Sequence, residues 1–326
     1  MQNILLEKYQ NKDCYEYFIK NNKLKIGISN FGCRIIHFYV DNVDICLGYP
    51  NIKEYLKSGT YMGSIVGRSA NRIKDGKFIL NDRTYELNKN ENNINHHHGG
   101  IEGYDKKFFE VITHEENKII FHYLSKDMEE NYPGNLDLYV TYELKDNTLL
   151  VGYKAKSDQD TIFNPTNHVY FNLDGQDSLN CFDNILQINA DGYTPTDQNG
   201  IPTGKIKIVK DTIFDFLSPT PIGQNLFNQE LKYGFDHNYV LNGVEAAYAK
   251  SNKTGIEMLI KTNMPCMQLY TGGLIIPTEG KNHYDKYAGF CLEPQFCPNS
   301  INMEGFLKPI LKKGQTIDYI ITYSFK

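Results

Sequence analysis

From residue 15 to residue 325 the chain is built from short segments rich in Tyr, Phe, Val and Ile. They read YEYFIK, KLKIGIS, CRIIHFYV, KFFEVITHE, KIIFHYLS, LDLYVTYEL, TLLVGYKAKS, ILQINADGY, KIKIVK, HNYVLNG, IEMLIKT, MQLYTGG, GFCLEP and IDYIITYSF. β-Branched and aromatic side chains suit a pleated, half-buried surface. Asn, Asp, Gly or Lys bounds each segment, and Asn21-Asn22, Asp41-Asn42, Lys74-Asp75-Gly76 and Lys145-Asp146-Asn147 have the composition of tight turns. The helix candidates are short, with Asn51–Lys57 as one or two turns, and strands do not alternate with helices. Many short strands without crossover helices predict an all-β chain, one large antiparallel β-sandwich. No composition break marks a linker, so residues 1–326 are expected to form a single domain.

Composition narrows the possible roles. Hydrophobic residues are 40% and charged residues 22%, enough apolar side chain for a packed core. The net charge is −5 and no run of five or more Lys and Arg occurs, which argues against a nucleic-acid or anionic-membrane partner. No segment approaches the roughly 20 apolar residues that span a bilayer, and the N-terminus lacks the pattern of a signal peptide. Seven cysteines stand at 14, 33, 46, 181, 266, 291 and 297, with no C-x-x-C. An odd count without a secretion signal predicts reduced thiols and a cytoplasmic protein.

The polar residues gather in a few places. Tyr61–Gly100 carries Arg68, Asn71 and Arg72, then hairpins, then Asn95-His96-His97-His98-Gly99-Gly100. Local hairpins would bring these groups together as the floor of a pocket. In Asn167–Leu173, alternation places Val169, Phe171 and Leu173 on one face and His168, Tyr170 and Asn172 on the other. Phe290 and Leu292 likewise face away from Glu293. Asp236, in GFDHNY, is placed to accept hydrogen bonds from hydroxyls. Each residue has a plain structural reading too: an ion pair for Arg72, an Asx turn at Asp236, a surface carboxylate at Glu293. His96 and His98, two apart, would share a face of an extended strand and suggest a metal site. No further ligand follows at short spacing, and His97 is expected to have only a loop role.

Taken in order, six blocks resemble the signature blocks of the aldose 1-epimerases, or galactose mutarotases. They are GSIVGRSANRI (63–73), NHHHGG (95–100), TNHVYFNL (166–173), FDHNY (235–239), MQLYTG (267–272) and GFCLEPQ (289–295). The resemblance implies a large antiparallel β-sandwich of the galactose mutarotase type with an open sugar groove. It implies interconversion of α and β anomers of free aldohexoses such as galactose and glucose, with no cofactor and no metal, by a monomer or a homodimer. By position, His168 matches the family's general acid and Glu293 its general base. Arg72, His98 and Asp236 match groups that hold the sugar; Asn71 and Gln268 match secondary binding positions. The chain departs from the family pattern at His97, where Leu or a similar residue is usual, and at Val169, Gly273 and Pro294.

Two rival readings differ in class. A hexose-6-phosphate 1-epimerase would need a spare cation, for which Arg68 is the candidate. A carbohydrate-binding module would need neither His168 nor Glu293 for chemistry. The acid role also requires a protonated imidazole, so a nearby carboxylate, Asp236 or Glu293, is expected to hold His168 charged.

Overall fold

The computed structural model describes residues 2–326. A nine-stranded antiparallel sheet forms one layer. Its order is Glu110–His114, Lys118–Ser125, Leu136–Lys145, Thr148–Ser157, Thr316–Phe325, Glu257–Thr262, Glu245–Lys250, Ile185–Ile188 and Thr220–Pro221. In Leu136–Lys145 every second residue is buried, starting with Leu136, which is the period of a strand with one wet face. Asp146, with φ 52°, turns that strand into the next, with Lys145 paired to Thr148.

Two five-stranded antiparallel sheets pack against the large one. The N-terminal sheet runs in chain order through Gln2–Tyr9, Lys12–Lys20, Leu24–Ser29, Ile35–Val40 and Val43–Asp44. The other contains Lys207–Ile208, Gly192–Thr194, Asp236–Val240, Cys266–Tyr270 and Cys291–Gln295. One core cluster joins all three layers, with Ile26 and Phe38 from the first, Met267, Leu269 and Leu292 from the second, and Val140, Tyr153 and Tyr323 from the nine-stranded sheet. Phe38 meets Phe325 edge-on at 5.2 Å between ring centroids, and Phe171 lies 5.4 Å from Tyr323. The all-β sandwich read from the strand pattern is therefore the observed fold.

The α-helix Ile52–Ser58 is capped by Asn51, whose side chain accepts from the Glu54 N–H, and stops at Gly59 in a left-handed conformation. Among the described residues no helix is long and apolar enough to cross a membrane. Two local readings change. Lys74-Asp75-Gly76 is a 3₁₀ corner between strands of different sheets, not a hairpin turn, and the hairpin turn nearby is Asn81-Asp82. Gln2–Tyr9 is a strand that alternation did not reveal, because most of its residues are exposed on both faces.

All seven cysteines are free and buried. A thiol titration of denatured, unreduced protein should therefore count seven groups, and native protein should react slowly; fewer than seven would contradict this pairing state.

Candidate active site

The site is assembled on one face of the second five-stranded sheet. Register places Asp236, Tyr270 and Cys291 side by side, and next to them Asn238, Gln268 and Glu293. Directly opposed residues share a face, as do residues two apart along a strand. The reverse face carries Tyr239, Met267, Leu269 and Leu292 into the main core. Each strand thus alternates apolar core with polar site, and register brings the polar rows into line.

His168 reaches this row from a different segment. The ladder between Thr166–Asn167 and Ile65–Val66 continues through His168 N–H to Ser64 C=O and Gly63 N–H to His168 C=O. Gly63 has φ +70°, and a Cβ there would lie 2.0 Å from the Ile35 carbonyl oxygen, so this approach admits only glycine. Beyond Asn167 the regular ladder gives way to isolated bridges at Phe171, yet the alternation holds: Val169, Phe171 and Leu173 enter the main core while His168 and Tyr170 face the other way. His168 Nε2 ends 3.7 Å from Glu293 Oε1, with both side chains buried. The second carboxylate oxygen of Glu293, Oε2, has no hydrogen-bond partner.

Arg72 and the histidines come from the short pair Arg72–Ile73 and His96–His97, in which His97 stands opposite Arg72. Arg72 bonds Glu91 through Nε at 2.9 Å and Nη2 at 2.8 Å, and its Nη1 lies 3.6 Å from Asp236. That leaves a fixed guanidinium edge beside Asp236 in the recess. Burial pulls the pKa of Arg72 down, but Asp236 and Glu91 outweigh it and the net shift is upward.

The expected His96–His98 pair is not formed. His98 has φ 48°, which breaks the alternation, and His96 turns into the core between the Asn88 carbonyl and the Tyr132 hydroxyl. His98 instead joins His168 and Glu293, each offering one donor atom within 4.8 Å of the others. A neutral imidazole that binds a metal through Nε2 carries its proton on Nδ1 and donates it to a supporting group. Here the Asn71 N–H donates to His98 Nδ1 at 3.2 Å, so the ring proton belongs on Nε2. The hydrogen-bond pattern suits a donor to an oxygen ligand and opposes a metal.

Burial dominates the electrostatics of the pair. It lowers His168 to about 4, against smaller upward effects of its backbone hydrogen bond and Asp236. It raises Glu293 well above the usual carboxylate range, helped by Asp236 and opposed by Arg72. The expectation that a neighbouring carboxylate holds His168 charged is therefore corrected: burial favours a neutral imidazole beside a protonated Glu293. His98 is also pushed well below its ordinary value, first by burial and then by His97, His168 and Arg72.

His168, Glu293, Arg72, His98, Asp236 and Asn71 line a recess of about 150 Å³. It opens past Arg72, Asp236 and Tyr270 into a wider groove of about 710 Å³. Gln268 does not line the recess. It sits behind Asp236, donating from Nε2 to Oδ1 at 2.6 Å, and its own Oε1 accepts from Gln295. Arg68 is elsewhere: its guanidinium is spent on the Ser125, Lys126 and Pro133 carbonyls and on the Ser125 and Thr161 hydroxyls. Replacing Arg68 with Leu orphans these acceptors and should cost about 3 kcal/mol of stability, read from urea denaturation, without raising the KM of the reaction the recess supports. A raised KM would return Arg68 to the site.

Three groups in or beside the recess escaped sequence reasoning. Tyr61 packs at 4.7 Å on His98 and 6.0 Å on His168. Glu91 has no sequence signal, since only folding brings it to Arg72. Tyr270 stands two residues beyond Gln268, and the strand period alone would have placed it on the same face.

The family model for aldose 1-epimerases matches residues 15–324. Galactose mutarotase of Sus scrofa is 37% identical over 324 residues, covering 95% of this chain and 93% of that one. Aldose 1-epimerase of Escherichia coli (strain K12) is 32% identical over 292 residues, covering 86% and 84%. The crystal structure of galactose 1-epimerase from Lactobacillus acidophilus NCFM matches with a TM-score of 0.90 at 31% identity, over 100% of this chain and 98% of that one. With the same fold, and with sequence similarity running almost end to end, the chain belongs to the aldose 1-epimerase family of isomerases.

Proposed function

We propose that the protein interconverts the α and β anomers of free aldohexoses such as galactose and glucose by acid–base ring opening, using His168 and Glu293 and no cofactor. The observation that carries this reading is a buried His–Glu pair, 3.7 Å apart, in a recess edged by Arg72, His98 and Asp236. Ring opening takes a proton from the anomeric hydroxyl and gives one to the ring oxygen. A pair holding one proton between two members does both, and reclosure on the other face of the aldehyde runs the roles backwards. Each positioned acid or base is worth about 10²–10⁴-fold.

Sugar binding also tips the proton balance. A hydroxyl donating to the unpartnered Oε2 stabilises the carboxylate form of Glu293, which favours moving the pair's proton to His168. Arg72, Asp236 and the His98 Nε2–H then hold the remaining hydroxyls, and Gln268 keeps Asp236 in place. Arg72→Ala removes charge-assisted bonds and should raise KM on the order of 10-fold, more than it lowers kcat. An unchanged KM would remove Arg72 from sugar binding.

The hexose-6-phosphate reading loses its support because Arg68 is consumed by the fold. Seven reduced, buried thiols support a reducing compartment such as the cytosol. The test is polarimetry of freshly dissolved α-D-galactose and α-D-glucose, with and without chelator. Acceleration in both conditions is expected. Binding without acceleration would leave a carbohydrate-binding protein, and chelator-sensitive activity would restore the metal reading.

A further inference from the structure

His97 is a polar group in the recess that the acid–base chemistry leaves unused. Its position follows from strand pairing: opposite Arg72, its side chain shares the face on which Arg72 enters the recess, while His96 faces the core. The backbone is fixed on both sides by one residue, since the Asn90 side chain accepts from His97 N–H and donates to His97 C=O. The ring packs at 3.9 Å on His98 and edge-on at 5.8 Å to Tyr61. Within this clamp, no described residue hydrogen-bonds either ring nitrogen.

Burial holds the ring neutral, with the positive charge of Arg72 and the neighbouring His168 and His96 acting in the same direction. A neutral imidazole presents one N–H donor and one acceptor nitrogen. His97 is half-buried at the wall of the recess, and a sugar hydroxyl, which both donates and accepts, can pair with either ring nitrogen. A leucine at this place would offer neither bond.

We infer that His97 is a specificity-determining residue, its ring hydrogen-bonding one hydroxyl of the bound aldohexose and so ranking sugars that differ in that hydroxyl. The inference rests on the reading of the recess as a sugar site. A hydrogen bond confined to one hydroxyl discriminates by presence and orientation, because the analogue lacking that hydroxyl forfeits the bond.

The experiment compares wild type, His97→Leu and His97→Gln on galactose, glucose and their monodeoxy derivatives. Kinetics are read by polarimetry and sugar affinity by calorimetry. His97→Leu should raise KM and Kd about 3- to 10-fold for sugars bearing the contacted hydroxyl. One monodeoxy sugar should show the same affinity in wild type and variant, and His97→Gln should recover part of the loss. A uniform loss across every deoxy sugar, or no change on any, overturns the assignment of His97 while leaving the sugar site standing. Wild type that neither binds nor converts any aldohexose overturns the site itself.

Discussion

Glu293→Gln should lower kcat for mutarotation by about 10²–10⁴-fold and, at the same time, raise the thermal stability of the protein at neutral pH. The first effect follows from the lost proton transfer. The second follows from burial: Glu293 is 2% exposed, one of its oxygens has no partner, and its folded pKa lies well above the unfolded value. Below the unfolded pKa the carboxyl is protonated in both states and folding is not penalised. As pH rises toward and through the folded pKa, the unfolded chain releases this proton first, so stability is progressively lost. Glutamine has nearly the same shape and no proton to release. The gain in melting temperature of Glu293→Gln over wild type should therefore grow with pH above about 4.5, near the unperturbed carboxyl range. A variant with near-normal kcat would remove Glu293 from the reaction. A variant less stable than wild type at pH 8 would show that the carboxylate is not a destabilised group.

The pH profile should carry a second signature. Unperturbed values near ~4.3 for Glu and ~6.5 for His would assign the acid limb of a bell to Glu293 and the alkaline limb to His168. Burial reverses the order: His168 falls to about 4 and Glu293 rises. The productive state still holds one proton on the pair, so kcat/KM should still be bell-shaped, with limbs that belong to the pair in wild type. Because kcat/KM reports the free enzyme, it should show the order set by burial in the recess. Residual activity of His168→Gln, which still needs Glu293 ionised, should rise with pH through the raised Glu293 pKa, and that of Glu293→Gln, which still needs His168 protonated, should fall as pH rises past about 4. The measurement is kcat/KM against pH, corrected for spontaneous mutarotation. A rise at about 4.3 in His168→Gln and a fall at about 6.5 in Glu293→Gln would restore the unperturbed order.

Part of this molecule was legible before any folding. Alternation is a local property of an extended chain, so seven strands of the nine-stranded sheet and the split of NHVYFNL and GFCLEP into core and polar faces could be read directly, whereas Glu245–Lys250 and Thr220–Pro221 were not. Both splits are present in the fold, with Val169 and Leu292 in the core and His168 and Glu293 facing each other. Tertiary structure decided what local pattern cannot encode. One left-handed residue, His98, separated it from His96 and placed it in the recess beside His97. Long-range contacts sent Arg68 to carbonyls more than fifty residues away and placed Gln268 behind Asp236. The charge state of the pair was beyond the sequence for the same reason. A pKa depends on how much water a group has lost and which charges stand near it, and both are set when distant strands close over His168 and Glu293.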